Sequence, residues 1–254
     1  MQIILASSKI MNDQLKSVLD VSLSLPRFQD EAQAFARNLA QYSTETIAEM
    51  LGCSPQIAVQ NKLRYMQFFD EQTKMPAIFA YHGQAYKHLK AETFTVEDLN
   101  YAQDKLWITS FLYGLLRPLD GIFPYRMEGN VELPSGEGLN MFGFWKKRLT
   151  DVLIDSVKTG DGILIHLATE EYQHMFDWQH VRKEVRIVQP LFYVRKGNDL
   201  KMQAVWAKTC RGAMTRFIIE NRITNPDDLS AFAYEGFEYE PTLGEPDYPH
   251  FIKQ

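Results

Sequence analysis

The chain has 254 residues, 45% of them hydrophobic and 23% charged, with a formal net charge of −5. This composition describes a globular protein able to bury a substantial core. It excludes a disordered polyelectrolyte and a protein that coats nucleic acid through overall positive charge. Two distant cysteines, Cys53 and Cys210, have no C-x-x-C partner. They argue against a zinc ribbon, a thioredoxin-like motif or a disulfide framework, and set a reducing cytoplasm as the expected location. Without a linker, repeat or low-complexity tract, residues 1–254 read as a single domain. No stretch has the length to span a membrane.

In chain order, Ile3–Ala6 reads as a strand rather than a signal peptide, because no charged segment precedes its few apolar residues. Ser7-Ser8-Lys9 follows at the strand's end, where ligand-binding loops commonly sit. Three-and-four apolar spacing predicts one helix over about Asp30–Glu49, and Ser54-Pro55 opens another that runs to about Phe69. Phe79–Leu89 reads as a strand-helix junction, with Gly83 in a conformation other residues avoid. Thr95 caps a helix from Val96. The aromatic and β-branched run from Leu106 fits strand or helix equally. A helix over about 140–157, a strand over Gly162–Ala168, and a hairpin of Val185–Arg195 with Leu200–Ala207 complete the pattern. The elements lack the regular period of a doubly wound fold. The expected class is therefore α+β, a mixed sheet with surrounding helices and an acidic tail as edge strand or loop.

Charge is unevenly distributed. Residues 182–222 hold ten Lys or Arg against Glu184, Asp199 and Glu220, whereas 227–254 hold seven acids and one Lys. Within the basic block, Trp206–Arg222 reads as an amphipathic helix with Ala213, Met214, Phe217 and Ile218 on its apolar sector. Arg211 and Arg222 fall nearly in register on its edge, roughly 16 Å apart, a spacing that suits two phosphates of a polyanion. With Thr209 as cap, Lys208 and Arg211 would flank free amides at the positive end of the helix dipole. The alternative is a surface helix whose arginines pair with nearby carboxylates. Cys210, beside two cations, reads either as a reactive thiolate or as a buried inert thiol.

Two further dense stretches are Leu112-Tyr-Gly-Leu-Leu-Arg-Pro-Leu-Asp120 with Pro124-Tyr-Arg-Met-Glu128, and His166-Leu-Ala-Thr-Glu-Glu-Tyr172. With the basic block, their order and spacing resemble the YaaA peroxide stress protein family over nearly the whole chain. That family carries L-Y-G-x-L-R-P-L-D, P-Y-R-x-E, L-A-S-x-E-Y and A-K-x-x-R-G-x-M-x-R-F-I-I-x-N-R. The resemblance implies a fold unlike the common superfolds, and a cytoplasmic protein that protects against hydrogen peroxide and limits free iron. It further implies DNA binding through a basic cleft and a helix-hairpin-helix element. Here that element falls on Ser110–Gly114, between the helix from Val96 and a short helix containing Arg117. Phe111 stands where such hairpins carry their first Gly. The family's early Ser-Pro-Ala-Lys becomes Ala6-Ser7-Ser8-Lys9, and an Asn before Leu-Ala becomes His166, which reads as a core residue, an extra donor or a general base near Glu170. Glu170 and His174 lack a third ligand, so neither a metal site nor a cofactor is assigned.

Two functions follow. In the first, Lys9, Arg117, Arg126, Lys208, Arg211, Arg216 and Arg222 contact the phosphates of DNA, duplex and without sequence preference. In the second, some of these cations enclose a phosphorylated or nucleotide-like small molecule, and Glu170, Tyr125 or Tyr172 transfers a proton. An open groove would favour DNA, and a closed pocket the small molecule. Direct iron sequestration is a third, weaker reading.

Overall fold

The computed structural model describes residues 1–12, 21–70 and 74–254. Strand β1 (Gln2–Ala6) lies at the centre of a sheet. On one side it pairs in parallel with β3 (Leu106–Ser110), which continues antiparallel to β4 (Gly114–Leu116). On the other side it pairs in parallel with β6 (Ile163–Leu167), and β6 in turn with β7 (Arg186–Val188). All five residues of β3 are buried, which resolves the run from Leu106 as a strand enclosed on both faces.

A second five-stranded sheet forms from the tail and the basic block. Strands β8 (Leu191–Lys196) and β9 (Asp199–Lys201) join β10 (Ala233–Tyr234), β11 (Phe237–Glu245) and β12 (Tyr248–Lys253), with β8 and β12 parallel. A short antiparallel pair, β2 (Met75–Pro76) with β5 (Gly121–Ile122), is separate. The α+β class with mixed sheets and surrounding helices stands, with its strands shared among three sheets instead of one. The acidic tail pairs directly with the basic block that precedes it.

The expected single helix over Asp30–Glu49 is two, α1 (Gln29–Leu39) and α2 (Thr44–Leu51). Ser43 breaks it: its backbone is extended, and its hydroxyl accepts the Thr46 N–H at 3.2 Å, starting a new helix. Helix α3 (Pro55–Met66) begins on the expected Ser54 cap. Two short helices follow, α4 (Ala77–Ala80) and α5 (Gln84–Leu89), and then α6 (Val96–Lys105), where Thr95 and Asp98 form a reciprocal capping box. Gly83 precedes α5 with φ −154°, a conformation open to any residue. Its role is close approach, since a Cβ there would lie 2.3 Å from Ser8 Oγ.

No helix-hairpin-helix forms at Ser110–Gly114: the segment is the turn of the β3–β4 hairpin, and Arg117 lies beyond β4 outside any helix. Phe111 explains the departure. Its ring stacks on Tyr172 at 4.8 Å and its carbonyl accepts the Trp145 indole N–H at 2.8 Å. Gly114 adopts φ +73°, and a Cβ there would press to 2.8 Å from the Trp145 ring. Pro118 and Asp120 complete a turn in which the Asp120 carboxylate accepts the Arg117 N–H and the Ser24 hydroxyl.

Helix α7 (Met141–Lys158) packs on the first sheet, and α8 (Glu170–Gln173) and α9 (Trp178–Glu184) follow β6. The basic helix α10 spans Ala204–Glu220. It is buried on more of its circumference than a two-sided helix, because it contacts α5, α6, β1, β6 and β8. At Gly212 a Cβ would fall 1.9 Å from the Ala85 carbonyl oxygen, so α5 and α10 meet backbone to backbone.

Candidate anion-binding cleft

Strands β1 and β6 are adjacent and parallel, yet the chain leaves them for opposite sides of the sheet. In open sheets with parallel strands such a divergence opens a crevice at the strands' carboxyl ends. A cleft of about 450 Å³ occupies that position. One wall is the loop Ser7–Ile10 after β1, another is Leu167–Tyr172 after β6, and Gly83–Lys87 with the start of α10 closes it.

Helix α10 supplies the charge. It starts at Ala204, five residues before Thr209, so Thr209 is no cap. Thr209 is buried, and its hydroxyl accepts from Gln84 Nε2 at 2.8 Å. The N-cap residue is Gln203, which makes no side-chain cap bond, and no acid stands in the first turn. The positive end of the dipole is therefore at Ala204-Val205, and both residues line the cleft. Ala204, Lys208 and Arg211 follow at spacings of four and three, which places them on one face, and all three line the cleft. Neither Lys208 nor the Arg211 guanidinium has a hydrogen bond or ion pair among the described residues. Burial lowers the Arg211 pKa, and the field of Glu170 opposes that shift. Lys9 and Lys87 bring the lining to four cations against one carboxylate, Glu171.

A narrow side cavity shares Ser7, Ser8, Lys9 and Tyr172 with the cleft and adds Tyr125 and Arg126. Here Glu128 bridges two cations, Lys9 Nζ at 2.6 Å and Arg126 Nη2 at 2.9 Å. The P-Y-R-x-E stretch is thus an internal ion pair at the cleft's edge.

Below lies a network of hydroxyls. Tyr125 bonds Ser110 at 2.6 Å and Tyr81 at 2.7 Å, while Ser7 bonds Tyr172 at 3.0 Å. Burial pushes the Tyr125 phenol up to about 12, and it raises those of Tyr81 and Tyr172 as well. At neutral pH these phenols keep their protons. Glu170 is exposed in the first turn of α8.

The cleft thus gathers Lys9, Lys208, Arg211 and Tyr172, and its side cavity adds Tyr125 and Arg126, whereas Glu170 lines neither. The cleft does not gather Arg117, Arg216 or Arg222. Arg117 lies over the Trp107 ring at 3.4 Å and donates to Gln2 Oε1, the Asp104 and Leu106 carbonyls and Ser156 Oγ. Those partners mark the opposite end of β1. Arg216 donates to the Leu89 and Lys90 carbonyls and to Thr93 Oγ1, and pairs with Glu220. Arg222 follows α10 with φ +52°, pairs with Asp98 at 2.8 Å and lies over Tyr101 at 4.6 Å. The expected stripe from Arg211 to Arg222 therefore does not form, because these arginines fasten α10 to α5 and α6.

Cys210 is fully buried and its thiol is pushed up to about 12 by desolvation, so it is the inert thiol of the two readings. His166 is a core residue: it packs edge-on to Trp178 at 4.9 Å, and burial lowers its pKa to about 3. Among the described residues no group of three or more His, Cys, Asp or Glu could hold a metal. No described helix is long and apolar enough to cross a membrane. Lys87, Ile10, Ala204 and Val205 escaped the sequence reading. The signal was present in the i, i+4, i+7 spacing of Ala204, Lys208 and Arg211, once the helix is started at its true first residue.

A family model described as peroxide stress protein YaaA matches residues 1–243. A UPF0246 protein of Phocaeicola vulgatus is 45% identical over 241 residues, covering 94% of both chains. One from Bacteroides fragilis is 43% identical over 246 residues, covering 96% of this chain and 95% of its own. One from Parabacteroides distasonis is 39% identical over 256 residues, covering both chains fully. The four motifs, the match along almost the entire chain and these relatives agree: the chain belongs to the peroxide stress protein YaaA family.

Proposed function

We propose that this protein serves peroxide defence by holding DNA phosphates in the cationic cleft, occupying the backbone without reading sequence and so limiting iron-driven damage there. The observation that carries this reading is the face of α10 formed by Ala204, Lys208 and Arg211. A helix N-terminus without a side-chain cap and two cations without a partner among the described residues converge on one opening. Cations gathered this way repel each other unless an anion joins them, and phosphate at a helix N-terminus satisfies both the amides and the charge. Lys9, held by Glu128, stands at the rim as a further contact. The intracellular setting in which DNA and iron meet belongs to the same proposal.

A second reading is favoured by the cleft's size. About 450 Å³ suits a small phosphorylated molecule and does not admit a double helix, whose major groove alone is about 12 Å wide. On the DNA reading a duplex lies across the mouth and does not enter. Fluorescence anisotropy with a labelled duplex across a salt series separates the two. DNA phosphate contact predicts log K falling with log salt at a slope of about −0.9 per contact. Binding that is absent at low salt, or indifferent to salt, sinks the DNA reading and leaves the small phosphorylated ligand.

A further inference from the structure

We infer that the cleft is built for one complete nucleotide unit, with the phosphate at the start of α10 and the base against an apolar floor. This rests on the reading of the cleft as a phosphate site and assigns what the rest of its space is for. Phosphate contact uses chiefly the α10 side, with Lys9 at the rim. The remaining walls are mostly carbon, from Leu5, Ala6, Ala85, the Tyr86 ring and Leu167. Two apolar side chains stand at the opening, Ile10 at 62% exposure and Val205 at 63%. A scattered exposed apolar residue needs no explanation. Two that frame the mouth of an apolar pocket beside a cationic face form an amphipathic receptor, one end for an anion and the other for a flat apolar body.

The polar groups of the walls narrow the chemistry. Ser7 bonds Tyr172, Ser8 donates to the His82 carbonyl, Gln84 donates to Thr209, and the Tyr86 hydroxyl donates to the Ala6 carbonyl. Each of these four is already engaged within the protein, and Thr169, Glu171 and Lys87 are the further polar residues of the lining. A sugar phosphate, whose hydroxyls all need partners, would leave most of them unmatched, whereas a base offers an apolar face to the apolar floor. The same engagement leaves little to read base edges. Base identity should matter mainly through area, a purine ahead of a pyrimidine.

The unit's source is either a free mononucleotide or an unpaired nucleotide of a strand, and the phosphate and base are common to both. Calorimetric titration with dAMP, dTMP, ribose 5-phosphate and inorganic phosphate tests the common chemistry. The expected result is dAMP at least tenfold tighter than ribose 5-phosphate, and dTMP within about fivefold of dAMP. Ala85→Trp, at a half-buried position on the apolar wall, fills the base space. It should weaken dAMP about tenfold and leave inorganic phosphate within twofold, and Ile10→Ala should weaken dAMP a few-fold. Equal affinity for dAMP and ribose 5-phosphate, or dAMP binding unchanged by Ala85→Trp, overturns the inference. A duplex carrying one unpaired adenosine, set against its fully paired counterpart, then assigns the source. A preference abolished by Ala85→Trp places the unit in a strand, and equal binding beside tight dAMP places it free in solution. Loss of all DNA binding with dAMP retained sinks the DNA reading alone; DNA binding with no base contribution sinks this inference alone.

Discussion

The two halves of α10 carry the same kind of residue in opposite circumstances. In the first half Lys208 and Arg211 face a cleft with no hydrogen-bond or ion-pair partner among the described residues; at and just past the far end Arg216 and Arg222 are spent on carbonyls, carboxylates and aromatic rings. Arg117, at the other end of β1, repeats the second case. The difference teaches that a cation's role follows from its hydrogen-bond partners. An arginine whose donors are met by fixed acceptors is an internal fastening, and one whose donors are unmet beside a cavity has its partner outside the chain.

The largest effect expected from breaking this comparison is on stability. Arg117→Ala removes a buried cation from four acceptors and from the Trp107 face. It should cost about 3 kcal/mol in denaturant unfolding and leave ligand affinity per folded molecule unchanged. A loss below about 1 kcal/mol would return Arg117 to the candidates for binding.

Acid sensitivity comes next. His166 is held neutral by burial and by the neighbouring Arg211 and Arg182, with its pKa lowered from 6.5 to about 3. The unfolded chain therefore takes up this proton first as pH falls. The contribution is intact above pH 6.5 and is lost progressively between there and pH 3. About 2 kcal/mol should disappear between pH 7 and 5. His166→Asn should flatten that part of the stability profile, and an unchanged profile would contradict the assignment.

Smaller effects sharpen the contrast along α10. Lys208→Ala should weaken DNA binding about tenfold at low salt and reduce the salt slope by about one, with stability within about 0.5 kcal/mol of the parent. Arg222→Ala should cost about 1 kcal/mol of stability through its contacts with Asp98 and Tyr101, because that pair is only partly shielded from water.

Much of this arrangement was legible in the sequence. Thr95 with Asp98, Ser54 with Pro55, and the apolar run of β6 announced their elements through local chemistry. The parallel core was hidden because β1 and β3 are separated by almost a hundred residues of helices and loops, which erases the strand-helix-strand period. The cleft was half visible. Lys9 at the end of β1 and Lys208 with Arg211 were identified from position and charge. Starting α10 at Thr209 instead of Ala204 left the first turn out of the charged face, and the register of Arg211 with Arg222 assumed a helix that in fact ends at Glu220. Nothing local reveals that Gln203 ends an extended segment, since the strand over Leu200–Ala207 was plausible until β9 stops at Lys201. The hydroxyl network beneath the cleft depends on contacts between residues as far apart as Ser7 and Tyr172, and no spacing rule carries that information.

The most direct test of the account is duplex binding measured across a salt series for the parent protein, Arg211→Ala and Arg222→Ala, each compared per folded molecule. The account predicts that Arg211→Ala loses about tenfold in affinity and about one unit of salt slope, while Arg222→Ala binds as the parent does. If both substitutions weaken binding equally, the phosphates track the length of α10, and the assignment of its far end to internal fastening is wrong.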